Sequence, residues 1–187
     1  MGARHSENLR VAIIGGGFTG AVCAVELARA ASQPLSIDII EPRAAVGAGL
    51  AYGSCEPEHR INVPSDRMTV FPEEPDHFTR WLKATGAWEA DPFGLTETGD
   101  HYSRRRDFGA CIADLVARTS AANPSGSIIR HRRAAALALE SAGGGWQVRG
   151  GPCASRRLRN RRDVPNAGSR SRTILNRREC LIHGALH

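Results

Sequence analysis

Lysine is almost missing from this sequence: Lys83 stands alone against 24 arginines. That bias points to GC-rich coding DNA and says nothing about function. The five cysteines, Cys23, Cys55, Cys111, Cys153 and Cys180, are odd in number and form no C-x-x-C pair. Neither a zinc site nor a disulfide framework is indicated, so reduced thiols in a cytoplasmic protein, with no metal, are expected. Long apolar runs are missing too. The nearest, Val11–Ala31, is broken by Gly15–Gly17 and then charged by Glu26 and Arg29. A membrane span needs about 20 predominantly apolar residues, so neither a span nor a secretory signal is expected. Aromatic residues make up only 5% of the chain, and residues 151–187 have none. Without aromatic stacking platforms, a formal charge of +6 is weak support for a nucleic-acid partner.

That charge is also localised. Residues 1–150 carry 16 Lys/Arg against 17 Asp/Glu, whereas residues 151–187 carry 9 arginines against Asp163 and Glu179. The excess therefore belongs to the C-terminal segment and not to the 9–150 region, where a folded domain is expected. With 187 residues, 41% of them hydrophobic, the chain can bury one domain core.

What the sequence does have begins at Val11. Four apolar residues, Val11–Ile14, run into Gly15, Gly16 and Gly17, with Gly20 following. The run reads as a buried strand. From Phe18 or Thr19 the pattern turns helical, with Val22, Val25 and Leu27 apolar between Glu26 and Arg29. Ser32–Pro34 make a turn, and Leu35–Ile40 alternate as a second strand that ends at Glu41. Strand, glycine turn, helix and strand in this order form a βαβ unit, which builds a parallel sheet.

The glycines follow Gly15-x-Gly17-x-x-Gly20, and Glu41 stands 21 residues beyond Gly20. Alone, G-x-G-x-x-G is a weak signal; between strand and helix, with an acid at the end of the next strand, it is a dinucleotide-binding fingerprint. Gly15 allows the tight turn, Gly17 the approach of a pyrophosphate, and Gly20 the close packing of helix on strand. Unpaired N–H groups and the helix dipole then face the phosphates, with Thr19 in the same first turn. Glu41 can accept hydrogen bonds from the hydroxyls of an adenosine ribose. FAD and NAD both satisfy this loop.

Farther on, "PDHFTRWLKATG" puts Phe78, Trp81 and Leu82 on one helical face, with Asp76 as N-cap and Gly86 as the stop. "RRDFGACIADLVART" does the same with Phe108, Ile112, Leu115 and Val116, and both faces read as core. Arg133–Arg149 reads as a β-hairpin around a glycine turn.

Between Glu41 and the first of these helices lie Gly47, Gly49, Ala51 and Tyr52, then His59, Asn62, Val63 and Pro64, with Met68 shortly after. Tyr102, Arg104 and Arg105 precede the second helix. Together with the glycine loop, these motifs resemble the FAD/NAD(P)-binding family that includes flavin-dependent urate hydroxylases and amino-acid N-monooxygenases acting on aspartate. The likeness covers residues 9–150 and is specific at family level without separating substrates.

The resemblance implies a Rossmann-like three-layer α/β domain with a small hairpin sheet. It also implies FAD held by Gly15, Gly17, Thr19, Gly20 and Glu41, with Arg43 beside the adenine, and NAD(P)H as reductant. Gly47 and Gly49 would let backbone pass close to the flavin or serve only as loop glycines, and Asn62 would meet the ring's polar edge. His59 reads as a surface histidine or an acid/base group, and Arg104–Arg106 as a solvated patch or an anion contact. No catalytic residue is assigned, since flavin carries the chemistry in such enzymes. The family pattern continues past the hairpin into a further buried strand. Here the longest apolar candidate, Thr173–Leu175, stops at Asn176-Arg177-Arg178. Low hydrophobicity with high charge predicts a disordered basic tail over residues 151–187. A truncated or out-of-frame end, and with it a catalytically incomplete oxidoreductase or a bare dinucleotide-binding module, is the expectation.

Overall fold

The computed structural model describes residues 9–142, 145–151, 172–174 and 180–183. Its N-terminal unit is β1 (Leu9–Ile14), α1 (Phe18–Ala30) and β2 (Leu35–Ile40), with β1 and β2 parallel and in register from Leu9↔Leu35 to Ile14↔Ile40. Two further helices follow, α2 (His77–Ala84) and α3 (Arg105–Ala121), and then β3 (Ile128–Arg132), parallel to β2. The hairpin is β4 (Ala135–Ala142) and β5 (Gly145–Gly151). Within the arginine-rich segment, β6 (Arg172–Ile174) joins β5 antiparallel, and β7 (Cys180–His183) joins β1 parallel. The rest of residues 151–187, and with it the expectation of a disordered tail, lies outside the described residues.

The result is a parallel sheet ordered β3-β2-β1-β7 and a separate antiparallel sheet ordered β4-β5-β6. Strand alternation explains the layering. Val11, Ile13, Leu35, Ile37, Ile39 and Ile129 join the core under α1 and α3, while Ala12 and Ile40 pack with Val148 of the small sheet. Helices, parallel sheet and antiparallel sheet are thus three layers, with β1 central. Each fully buried Ile or Val, such as Ile13, Ile37 or Val25, contributes about 1.5–3 kcal/mol relative to exposure.

The inward face of α1 differs from the expected one. Gly20, Ala21, Ala24, Val25 and Ala28 are buried, while Val22 and Leu27 are only partly so. Small residues bring the helix axis close to the sheet, which places its first turn directly over the end of β1. In α2 and α3 the anticipated faces are inside: Phe78, Leu82, Phe108 and Ile112 are essentially sealed from solvent. Phe108 ties the layer together, with ring centroids 4.9 Å from Phe78, 4.9 Å from Tyr52 and 5.7 Å from Phe18. Asp76 occupies the N-cap of α2 without a side-chain capping bond, and Gly86 follows its end at φ 72°. No helix among the described residues is long and apolar enough to cross a membrane.

Candidate functional site

The carboxyl ends of β1 and β2 converge on the glycine loop, where open α/β sheets bind ligands. Gly15 turns the chain at φ 95°, and its N–H donates to the Ile40 carbonyl at 2.9 Å. Gly17 is the N-cap of α1 and carries no side-chain cap. The helix's first internal bond runs from the Ala21 N–H to the Gly17 carbonyl at 3.0 Å. The N–H groups ahead of Ala21 therefore lack intrahelical acceptors and project beyond the helix end.

The steric demands on the loop's glycines differ. A Cβ on Gly20 would lie 1.9 Å from the Gly15 carbonyl oxygen and 3.1 Å from Ile13 Cγ2. Gly17 is different: its Cβ would meet only the Gly49 Cα, at 3.4 Å. A substituent there is tolerated by the protein and would occupy the cradle itself. Gly16, a variable position of the motif, is as constrained as its neighbours, since its Cβ would sit 2.7 Å from Glu41 Cβ.

Glu41 is 3% exposed, and the loop is built around it. Its Oε2 accepts the Gly16 N–H at 2.9 Å, while Oε1 accepts the Arg43 N–H at 2.9 Å and the Arg43 guanidinium at 3.1 Å. A carboxylate has about four acceptor positions, so these three bonds leave room for one more donor. Arg43 itself is largely exposed, beside Glu41.

The segment after Glu41 closes over this loop. Gly47 donates its N–H to the Gly16 carbonyl at 2.7 Å with φ at 100°, and a Cβ there would reach the Ala113 nitrogen at 2.8 Å. Gly49, at φ 56°, faces Gly17. Both glycines are therefore required by the packing of this segment between the loop and α3. Gly109 of α3 makes that approach possible, because a Cβ there would lie 2.7 Å from the Tyr52 carbonyl and 2.9 Å from Ala48 Cβ. Sequence reasoning passed over Gly16 and Gly109; a lone glycine inside the α3 pattern was the available signal.

Asn62 is exposed, in the loop between Ile61 and Ser65. Its anchors are buried: Ile61 N–H donates to the Ser103 carbonyl at 3.0 Å and Ser65 N–H to the His101 carbonyl at 2.8 Å. His59 is exposed and contacts Ser54 through Nδ1. The three arginines divide. Arg104 turns inward to Asp107 at 2.8 Å and lies 3.7 Å from Asp91. Arg105 Nε donates to the Arg60 carbonyl at 3.0 Å, and Arg106 is exposed. Arg60 grips Asp91 with two bonds of 2.8 and 2.9 Å. That bidentate pair holds the Asp91 carboxyl below its ordinary range against the opposing effect of burial.

Among the described residues, no cluster of three His, Cys, Asp or Glu could hold a metal ion. An apolar cavity of about 630 Å³, lined by Leu9, Cys23, Leu27, Ala30 and Leu35, lies at the starts of β1 and β2. It is at the opposite end of these strands from the glycine loop.

A family of FAD-NAD(P)-binding proteins matches residues 12–159. The chain belongs to that family. No curated protein sequence matches it. Among solved structures, it is similar to S-allyl-L-cysteine S-oxygenase from Allium sativum, at 16% identity and TM-score 0.48, covering 78% of this chain and 33% of that one. A flavoprotein/dehydrogenase from Cytophaga hutchinsonii gives 15% identity and TM-score 0.47, over 94% of this chain and 39% of that one. Anhydrotetracycline hydroxylase OxyS from Streptomyces rimosus gives 15% and 0.41, over 77% and 28%. The chain thus spans about a third of the length of these proteins.

Proposed function

We propose that this chain binds FAD and serves a monooxygenase-like oxidoreductase that draws on NAD(P)H. The observation that carries the reading is the uncapped α1 N-terminus opening beside a buried carboxylate that is already bonded into the same loop. Uncapped N–H groups at Gly17, Phe18, Thr19 and Gly20 suit a pyrophosphate, since partial positive charge and free donors coincide there. Glu41 takes the adenosine ribose through its remaining acceptor position. Arg43, exposed beside it, covers the adenine side. Gly47 and Gly49 bring the backbone alongside Gly17, and Asn62 offers an exposed amide to the ring's polar edge. When bound, FAD would supply the electron-transfer and oxygen chemistry. The chain's own residues bind and orient it. A cytoplasmic location fits Cys23, Cys55 and Cys111, which are free thiols.

Calorimetric titration with FAD tests the reading. Wild type should bind, and Glu41→Ala should lose affinity at least tenfold while AMP, which lacks the flavin, competes with FAD for the wild-type site. Absence of binding by folded protein would remove the proposal. NADH or NADPH oxidation by the FAD-loaded protein then separates the oxidoreductase from a module that binds without turnover.

A further inference from the structure

Behind the Asn62 loop, Ser65, His101 and Ser103 form a knot at 1%, 4% and 0% exposure. The Ser65 hydroxyl donates to the His101 carbonyl at 2.6 Å. Ser65 Oγ and Ser103 Oγ are also 2.6 Å apart, so the Ser103 hydroxyl must be the donor there. Both hydroxyl protons are then committed. His101 Nδ1, 3.1 Å from Ser103 Oγ and 3.2 Å from Ser65 Oγ, can take part only as an N–H donor. The network therefore selects the Nδ1–H tautomer of a neutral imidazole.

The other ring nitrogen is enclosed by protein. Nε2 is buried without a hydrogen-bond partner, and Gly94 lies so close that a Cβ there would come within 2.6 Å of it. The ring face is stacked on Trp88, centroids 4.0 Å apart. A proton on Nε2 would place a positive charge in a buried site with no acceptor within hydrogen-bond distance, which is costly.

We infer that His101 is an acid-sensitive latch: neutral, it ties the Asn62 loop to residues 101–103, and protonation at Nε2 releases that loop. The charges around it do not reverse this. Burial is the largest effect and holds His101 below the usual histidine value; the Asp91 charge, a hydrogen bond to the Asp91 backbone and the charge of Asp107 on α3 favour the charged ring, and Arg60 opposes it. The loop is joined through Ser65 and Ile61, whose N–H groups donate to the His101 and Ser103 carbonyls. A consequence for FAD affinity through Asn62 rests on the proposed function; the latch itself does not.

The test uses the full-length ¹⁵N-labelled chain without FAD. Imidazole nitrogen spectra should show Nδ1 protonated and Nε2 unprotonated at neutral pH. Amide exchange at Ile61 and Ser65, referenced to Val25 in α1, should lose protection on acidification by up to about tenfold per pH unit below the ordinary histidine range. In His101→Asn the amide nitrogen replaces the Nδ1–H donor and does not titrate, so protection should stay flat. Ser103→Ala, which removes the acceptor, should lower protection already at neutral pH. An Nε2–H tautomer, equal acid-induced losses in wild type and His101→Asn, or unchanged protection in Ser103→Ala would overturn the inference.

Discussion

Alanine at Gly20 and alanine at Gly17 should part company, although the two glycines share one motif. In an exposed helix interior, Gly→Ala is favourable by about 1 kcal/mol. At Gly20 that gain meets a Cβ placed 1.9 Å from the Gly15 carbonyl oxygen, backbone against backbone. Relief requires α1 to lift from β1 by about 1 Å or more, in a layer packed with Ala21, Ala24 and Val25 at zero exposure. Overpacking of this kind costs about 1–3 kcal/mol and sometimes more; a clash against backbone belongs at the upper end, about 3 kcal/mol, which less the helix gain leaves a net loss near 2 kcal/mol. For a chain of this size that is a fall in Tm of about 4–8 °C. Gly17 has φ −69° and ψ −167°, extended backbone open to any residue, and only the 3.4 Å contact with Gly49 Cα. Gly17→Ala should therefore keep stability within about 0.5 kcal/mol and lose FAD affinity at least tenfold. Thermal melts without FAD and calorimetric titrations with it read the two effects separately. A Gly20→Ala protein that melts like wild type would refute the steric argument, and a Gly17→Ala protein that binds FAD normally would refute the cradle.

Glu41→Gln turns an NH₂ group toward donors that a carboxylate accepts, at Gly16 or Arg43, and should cost about 1–3 kcal/mol; urea unfolding measures it. Asp91→Asn leaves Arg60 without its bidentate partner and should destabilise by about 3 kcal/mol. The Asp91 carboxyl lies below its unfolded value near 3.8, so the stability it contributes is present above that pH. It should be lost as pH falls through the lower folded value, and an acid titration of Asp91→Asn should lack that part of the transition. His77 is buried with Nδ1 unpartnered, and burial lowers it below 6.5. Folding therefore favours its neutral form: the contribution is complete above pH 6.5 and declines as pH falls toward the folded value. In a pH series of melts, His77→Phe should flatten the part of this decline that His77 contributes.

The N-terminal βαβ unit was legible because its signals are local. Four apolar residues, a glycine cluster and an alternating run ending in Glu41 admit one arrangement, and the parallel β1–β2 register follows it. β3 was not legible. Only Ile128 and Ile129 are apolar, and the rest of the strand is Arg130, His131 and Arg132. As the sheet's edge it tolerates charge, and its arginines are used: Arg132 reaches the buried Asp38 at 2.9 Å and Arg130 reaches Ser36 at 2.8 Å. β7 is four residues long inside an arginine-rich stretch, too short to carry periodicity. In the site, the motif named Gly15, Gly17, Gly20 and Glu41, but it treats Gly16 as free. Its constraint appears only once β2 delivers Glu41 against it. The Ser65–His101–Ser103 knot joins segments 36 residues apart and leaves no pattern in the chain.

The central claim is that the glycine loop is the seat of a dinucleotide, and a backbone amide titration reads it directly. FAD added to the ¹⁵N-labelled chain should shift the Gly16, Gly17, Phe18 and Thr19 amides saturably, with Arg43 following and with Leu9, Leu27 and Leu35, at the far cavity, unmoved. Saturable binding that shifts the cavity residues and leaves the loop amides in place would contradict it.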